Sequence, residues 1–117
     1  MSYFADNEFK CRCGCGMDVI DELKDKANEA RGIAGVPFRI TSGARCLRHN
    51  TRIGSKPSSS HVKGKAMDIA FRNSREKFLI IKGLILAGVD RIGINDKKNF
   101  IHADIDEDKP EEVMFKY

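Results

Sequence analysis

The chain has 117 residues, of which 41% are hydrophobic and 32% charged, and a formal net charge of +4. This fits one globular domain over residues 1–117, with a core large enough to fold without disulfides. The Lys and Arg residues are too scattered for a nucleic-acid face, and no apolar run reaches membrane-span length; the longest, Phe78–Val89, is broken by Lys82 and Gly83.

Residues 1–16 read as irregular, with glycines at Gly14 and Gly16. Val19, Ile20, Leu23, Ala27 and Ala30 recur at helical spacing, which predicts a helix over Asp18–Arg31 with Gly32 as its stop. Phe38–Thr41 reads as a strand after Pro37. Residues 42–65, rich in Gly, Ser, Arg and Lys, read as a long loop of the kind that is usually functional or disordered. Ala66–Phe71 is a second strand, with Met67, Ile69 and Phe71 on one face and Ala66, Asp68 and Ala70 on the other.

Asn73 followed by Glu76 resembles a capping box, opening a helix that runs to about Ala87 and stops at Gly88. Arg91–Ile94 and Asn99–Ile105 form a predicted hairpin around a turn at Asn95–Lys98, and the tail Asp106–Tyr117 reads as weakly structured. The order predicts an α+β domain with a small, mostly antiparallel sheet and flanking helices.

Three segments draw attention: Ser42-Gly43-Ala44-Arg45, Ser60-His61-Val62-Lys63-Gly64-Lys65-Ala66-Met67-Asp68, and Phe100-Ile101-His102-Ala103-Asp104. Asp68 is flanked by Ala66, Met67, Ile69 and Ala70, and a carboxylate in such company needs a cation or strong donors. Gly64 lets the chain turn so that His61 on the loop and Asp68 on the strand converge. On the last strand Phe100, His102 and Asp104 share one face, while Ile101, Ala103 and Ile105 suit the core. His61, Asp68 and His102 together form a candidate zinc site with a fourth position open, the pattern of a catalytic rather than structural ion. Such an ion lowers the pKa of bound water toward about 7 and polarises a carbonyl. His49 is taken as a surface loop residue.

The pattern Ser60-His61-x-x-Gly64-x-Ala66-x-Asp68, preceded by Ser42-Gly43-x-Arg45 and followed by His102-x-Asp104, resembles the zinc D-Ala-D-Ala carboxypeptidase family of metallopeptidases. That family shares its fold with the hedgehog signalling domain. The opening Glu8-Phe9-x-Cys11-x-Cys13-Gly14-Cys15-Gly16 resembles the start of small phage and prophage members, and the resemblance spans about Phe4 to Ile105. It implies zinc on His61, Asp68 and His102, and Arg45 holding the substrate carboxylate, a task that suits a permanently charged, fork-shaped guanidinium. It implies hydrolysis of peptidoglycan stem peptides or cross-links by a monomeric enzyme.

The family's general base stands three residues before the last histidine, where this chain has Asn99. Asp104 is the nearest replacement, either shuttling the proton or orienting His102, and Asp96 is a weaker candidate. A zinc-containing cell-wall peptide-binding module that does not hydrolyse is therefore the alternative. No apolar core of a signal peptide precedes the domain, so the expectation is synthesis in the cytoplasm and delivery to the cell wall, as in a phage- or prophage-type lysis or entry role.

Cys11, Cys13 and Cys15, with Cys46 far along the chain, leave three readings open: a four-thiolate zinc site, a disulfide from Cys46 to one of the three, or free thiols. A purely cysteine-based zinc module that binds a partner would leave Asp68 and the polar face of the last strand unexplained.

Overall fold

Alternation along two central strands decides which side of the sheet is buried. A computed structural model of the chain describes residues 2–117. The elements are α1 (Asp21–Ala34), β1 (Arg39–Ser42), α2 (Leu47–Arg52), β2 (Ala66–Ala70), α3 (Ser74–Leu86), β3 (Arg91–Asn95), β4 (Phe100–Asp104) and β5 (Val113–Lys116), with a 3-10 turn at Ser60–Lys63 before β2. The sheet order is β1-β2-β4-β3-β5. Neighbours are antiparallel except β5, which lies parallel to β3. The expected α+β architecture with a mostly antiparallel sheet is what the chain adopts.

Met67 and Ile69 of β2, Ile92 of β3, and Ile101 and Ala103 of β4 belong to one buried cluster with Leu23, Ala27 and Ala30 of α1 and Ile80 and Leu84 of α3. Each fully buried aliphatic side chain of this kind contributes about 1.5–3 kcal/mol relative to exposure. Helices α1 and α3 pack closely because α3 has no side chain at Gly83. A Cβ there would stand 2.5 Å from the carbonyl oxygen of Ala30. The intervening strand residues, Asp68 and His102 among them, face the opposite side, where α2 and the 3-10 turn lie.

Several sequence expectations need correcting. Helix α1 starts at Asp21, not Asp18, because the Ile20 amide donates to the Gly64 carbonyl (2.9 Å) and holds the preceding residues extended. It passes Gly32 and stops at Gly35, whose φ of 71° suits glycine. Gly32 instead faces the Tyr3 ring. Asn73 does cap α3, its Oδ1 accepting from the Glu76 amide at 2.9 Å. The Glu76 carboxylate turns back to the Arg72 amide and side chain and to Arg39.

The stretch 42–65 is not an unbroken loop. The Cys46 Sγ caps α2 by accepting from the His49 amide, and Ser59 Oγ caps the 3-10 turn by accepting from the His61 amide. Both pieces are too short to show a hydrophobic period. His49 lies within α2 and is half-buried, not on a surface loop. Asp106–Tyr117 is likewise ordered by tertiary contacts. Asp106 is buried and accepts from Ser60 and Lys63, and β5 pairs along β3.

Candidate metal centre

The register of the sheet lays the site in one row. Asp68 pairs with His102, His102 with Gly93, and Gly93 with Phe115. The third candidate ligand arrives from outside the sheet on the 3-10 turn, which Gly64 closes with a φ of 70°. His61 is only 3% exposed, Asp68 6% and His102 7%, so each has exchanged water for protein partners.

Those partners determine which ring nitrogen each histidine offers. His61 Nδ1 lies 2.7 Å from the Gly43 carbonyl oxygen. A carbonyl only accepts, so Nδ1 carries the proton and Nε2 keeps its lone pair. Nε2 lies 3.3 Å from Asp68 Oδ1. His102 is arranged the other way round: Nε2 sits 2.7 Å from Asp104 Oδ2, while Nδ1 lies 3.2 Å from the same Asp68 Oδ1. Two imidazole nitrogens thus meet one carboxylate oxygen.

Ligands held about 2.0–2.1 Å from a tetrahedral zinc ion stand about 3.3 Å apart, so the observed spacing fits. His61, Asp68 and His102 offer donor atoms that all lie within 4.8 Å of one another. Burial pushes the Asp68 carboxyl up, but hydrogen bonds from His102 and His61 outweigh it and hold the pKa at about 2. Burial also disfavours a charged His102, yet Asp104 and Asp68 hold its pKa above the ordinary value. The cluster therefore attracts positive charge, either a proton on His102 or a metal ion in its place.

Asp104 is fully buried and heavily used. Besides His102 it accepts from Arg91 Nε (2.8 Å) and the Asp106 amide (3.1 Å). Its carboxylate lies against Nε2 of His102, on the far side of the ring from Asp68. Arg45 stands at the rim, with Nη2 3.6 Å from Asp68 Oδ2. Its other donors are fixed: Nε to Ser42 Oγ (3.1 Å), and Nη1 to Ser55 Oγ (3.2 Å) and Asn50 Oδ1 (3.3 Å).

Asn99 is not part of this arrangement. It is exposed at the end of the hairpin turn with φ 57°, a left-handed conformation that asparagine tolerates. Asp96 is exposed as well and pairs with Lys77 at 2.6 Å.

The site opens into a cleft of about 330 Å³ whose walls include Arg45, Lys56, Arg91 and Lys109. Phe100, Phe115 and Tyr117 form an aromatic side of it, with the Phe115 ring centroid 5.8 Å from that of His102. Gly93 makes this possible, since a Cβ there would meet the Phe115 ring at 2.5 Å. Tyr117 lies at the exposed edge of this side, its ring centroid 5.4 Å from that of Phe100. The sequence reading missed this wall. The alternation Val113, Phe115, Tyr117 was its only signal, and the acidic stretch before it hid the strand.

A small α+β domain whose sheet and preceding turn bring two imidazoles and a carboxylate to one point in a cationic cleft is the framework of a metal-dependent hydrolase. A family model described as Peptidase M15 matches residues 2–104, and the chain belongs to that family of zinc metallopeptidases. No curated protein matches the chain. The matched span ends with β4, so β5 with Phe115, and Tyr117 after it, lie beyond it. Among the described residues no helix is long and apolar enough to cross a membrane.

Proposed function

We propose that this protein is a zinc-dependent peptidase that cleaves peptide bonds of bacterial peptidoglycan, in stem peptides or their cross-links. The observation that carries the reading is the convergence of His61 Nε2, His102 Nδ1 and Asp68 Oδ1 beside the Arg45 guanidinium. When bound, zinc supplies a Lewis acid that polarises the scissile carbonyl and acidifies water. His61, Asp68 and His102 would hold it.

The remaining steps fall to the chain's own groups. Arg45, pinned by Ser42, Asn50 and Ser55, keeps Nη2 directed at the cleft, where it binds a peptide carboxylate. Lys56 and Lys109 add positive charge along the wall and favour the same anionic substrate. Phe115 packs near the His102 ring and limits its contact with water, and the Tyr117 hydroxyl at the edge of the cleft can donate to a substrate oxygen. Asp104 is a positioning residue: it fixes the tautomer and angle of His102 through Nε2. The protein works as a monomer and reaches the wall by delivery, as a phage- or prophage-type enzyme does.

The test is incubation of the purified protein with peptidoglycan and with soluble stem peptides, followed by mass spectrometry of the products. The expected result is loss of an amino acid or a cut cross-link, abolished in His61→Ala together with the zinc. A His61→Ala protein that kept both its zinc and its cleavage would overturn the proposal.

One observation favours a second reading. Asp104 is spent on His102 and Arg91, and Asn99 lies outside the cleft, so among the described residues no uncommitted carboxylate lines it. A zinc-containing module that binds cell-wall peptides would show saturable peptide binding with no turnover at saturating zinc.

A further inference from the structure

A second group of ligand-type side chains lies apart from the His–Asp–His row. The sulfurs of Cys11, Cys13, Cys15 and Cys46 all lie within 4.8 Å of one another. Cys11 Sγ is 3.4 Å from Cys13 Sγ, and Cys13 Sγ is 3.5 Å from Cys46 Sγ. We propose that these four thiolates hold a structural zinc ion that staples the N-terminal segment to the loop bearing Arg45.

Four sulfurs about 2.3 Å from a tetrahedral zinc ion stand about 3.8 Å from each other, close to the separations here. A disulfide would engage two of the four and leave no reason for the others to gather at the same point. The set contains no carboxylate or imidazole, and all-thiolate surroundings favour zinc over harder cations. Four protein ligands also leave no open position, which makes this ion structural rather than catalytic.

The one-residue spacing of Cys11, Cys13 and Cys15 looks too tight for a metal loop when read along the sequence. The backbone resolves this. Gly14 and Gly16 take φ values of 83° and 89°, folding the chain back on itself after Cys13 and again after Cys15. The turn is closed by the Gly14 amide on the Cys11 carbonyl (3.2 Å) and the Cys11 amide on the Met17 carbonyl (2.8 Å). Cys46 joins from a distant part of the chain. Its amide donates to Cys11 Sγ and its own Sγ accepts from the His49 amide, both at 3.4 Å. Amide donors on sulfur favour the thiolate form that a metal requires.

The consequence for function is positional. Cys46 follows Arg45 directly, and Ala44 donates its amide to the Phe9 carbonyl at 2.8 Å. The Gly43 carbonyl, on the same short stretch, holds His61 Nδ1. An ion tying Cys46 to residues 11–15 therefore stabilises the segment that presents both Arg45 and the acceptor of His61.

The experiment is a zinc count on the full chain, purified under reducing conditions without chelator, by elemental mass spectrometry and native mass spectrometry. The expected result is two zinc ions per wild-type chain and one in His61→Ala/His102→Ala. Cys13→Ser/Cys15→Ser should also keep one. Replacing zinc by cobalt in the His61→Ala/His102→Ala protein should produce a sulfur-to-cobalt charge-transfer band, and this variant reports on the cysteines whether or not the other metal site is correctly assigned. The proposal is overturned if the wild type, folded by circular dichroism, has four thiols that react freely with a disulfide reagent at full zinc loading. It is also overturned if the His61→Ala/His102→Ala protein, folded by circular dichroism, carries no zinc.

Discussion

At the scale of single residues, the candidate centre depends on partners that fix proton positions. The Gly43 carbonyl selects Nε2 of His61 as the free nitrogen, and Asp104 selects Nδ1 of His102. The raised pKa of His102 has a consequence for metal binding. A proton and a zinc ion compete for the same lone pair, and the proton gains as pH falls through the raised value. On acidification, zinc affinity should therefore begin to drop while the pH is still above 6.5, the ordinary histidine value, when followed by competition with a chromophoric chelator over a pH series. Arg45 makes a different prediction. Arg45→Lys keeps the charge but loses the fork, so kcat/KM toward carboxylate-bearing peptides should fall about 10- to 100-fold, mostly through KM, with zinc content unchanged. A fall confined to kcat, or loss of the metal, would count against a carboxylate-binding role.

At the scale of elements, α3 shows how a local signal and a tertiary contact combine. Asn73 caps the helix as its sequence position suggests, but Glu76 answers Arg72 and Arg39 rather than the cap residue's own amide. Hydrogen bonds from Arg72, with help from Arg39 and against the effect of burial, hold the Glu76 pKa at about 2, below its ordinary 4.5. The lowered pKa means this pairing stabilises the fold above pH 4.5 and that the benefit is lost as pH falls toward 2. Both arginines are partly exposed, which reduces the benefit to about 1 kcal/mol. Glu76→Gln should be less stable by that amount at neutral pH in urea unfolding, and the gap should close on acidification between those limits. A gap independent of pH would mean that packing, not charge, is responsible.

At the scale of the whole molecule, one face of the sheet carries stability and the other carries chemistry, and the two glycines that matter most sit one on each side. Gly93 leaves room on the site face for Phe115, which packs over His102. Gly83 lets α3 approach α1 on the core face. Gly83→Ala would force the helices apart at the Ala30 carbonyl, and the overpacking should cost about 1–3 kcal/mol despite alanine's better helix propensity. Gly32→Ala is the matched control, because its Cβ would only touch the Tyr3 ring at 3.5 Å. There the gain in helix propensity should dominate, raising stability by about 0.5–1 kcal/mol. Thermal unfolding of both variants checks the contrast; equal effects would show that helix spacing does not limit the core.

The sequence alone was enough for the features that depend on neighbours a few residues away. Alternation in Ala66–Ala70 and Phe100–Asp104 separated core from site and so singled out Asp68 and His102 as candidate ligands, and the Asn73 cap marked α3. Tertiary structure decided what depends on distant partners. Gly43 is eighteen residues from His61, yet its carbonyl determines which nitrogen is free. The contacts of the Asp104 carboxylate with Nε2 of His102, with Arg91 and with the Asp106 amide likewise depend on how the strands and the following turn pack. β5 stayed hidden because a short strand after an acidic stretch gains its order from pairing with β3. The convergence of Cys46 with Cys11, Cys13 and Cys15 required both the left-handed turns at Gly14 and Gly16 and the return of a chain segment thirty residues away.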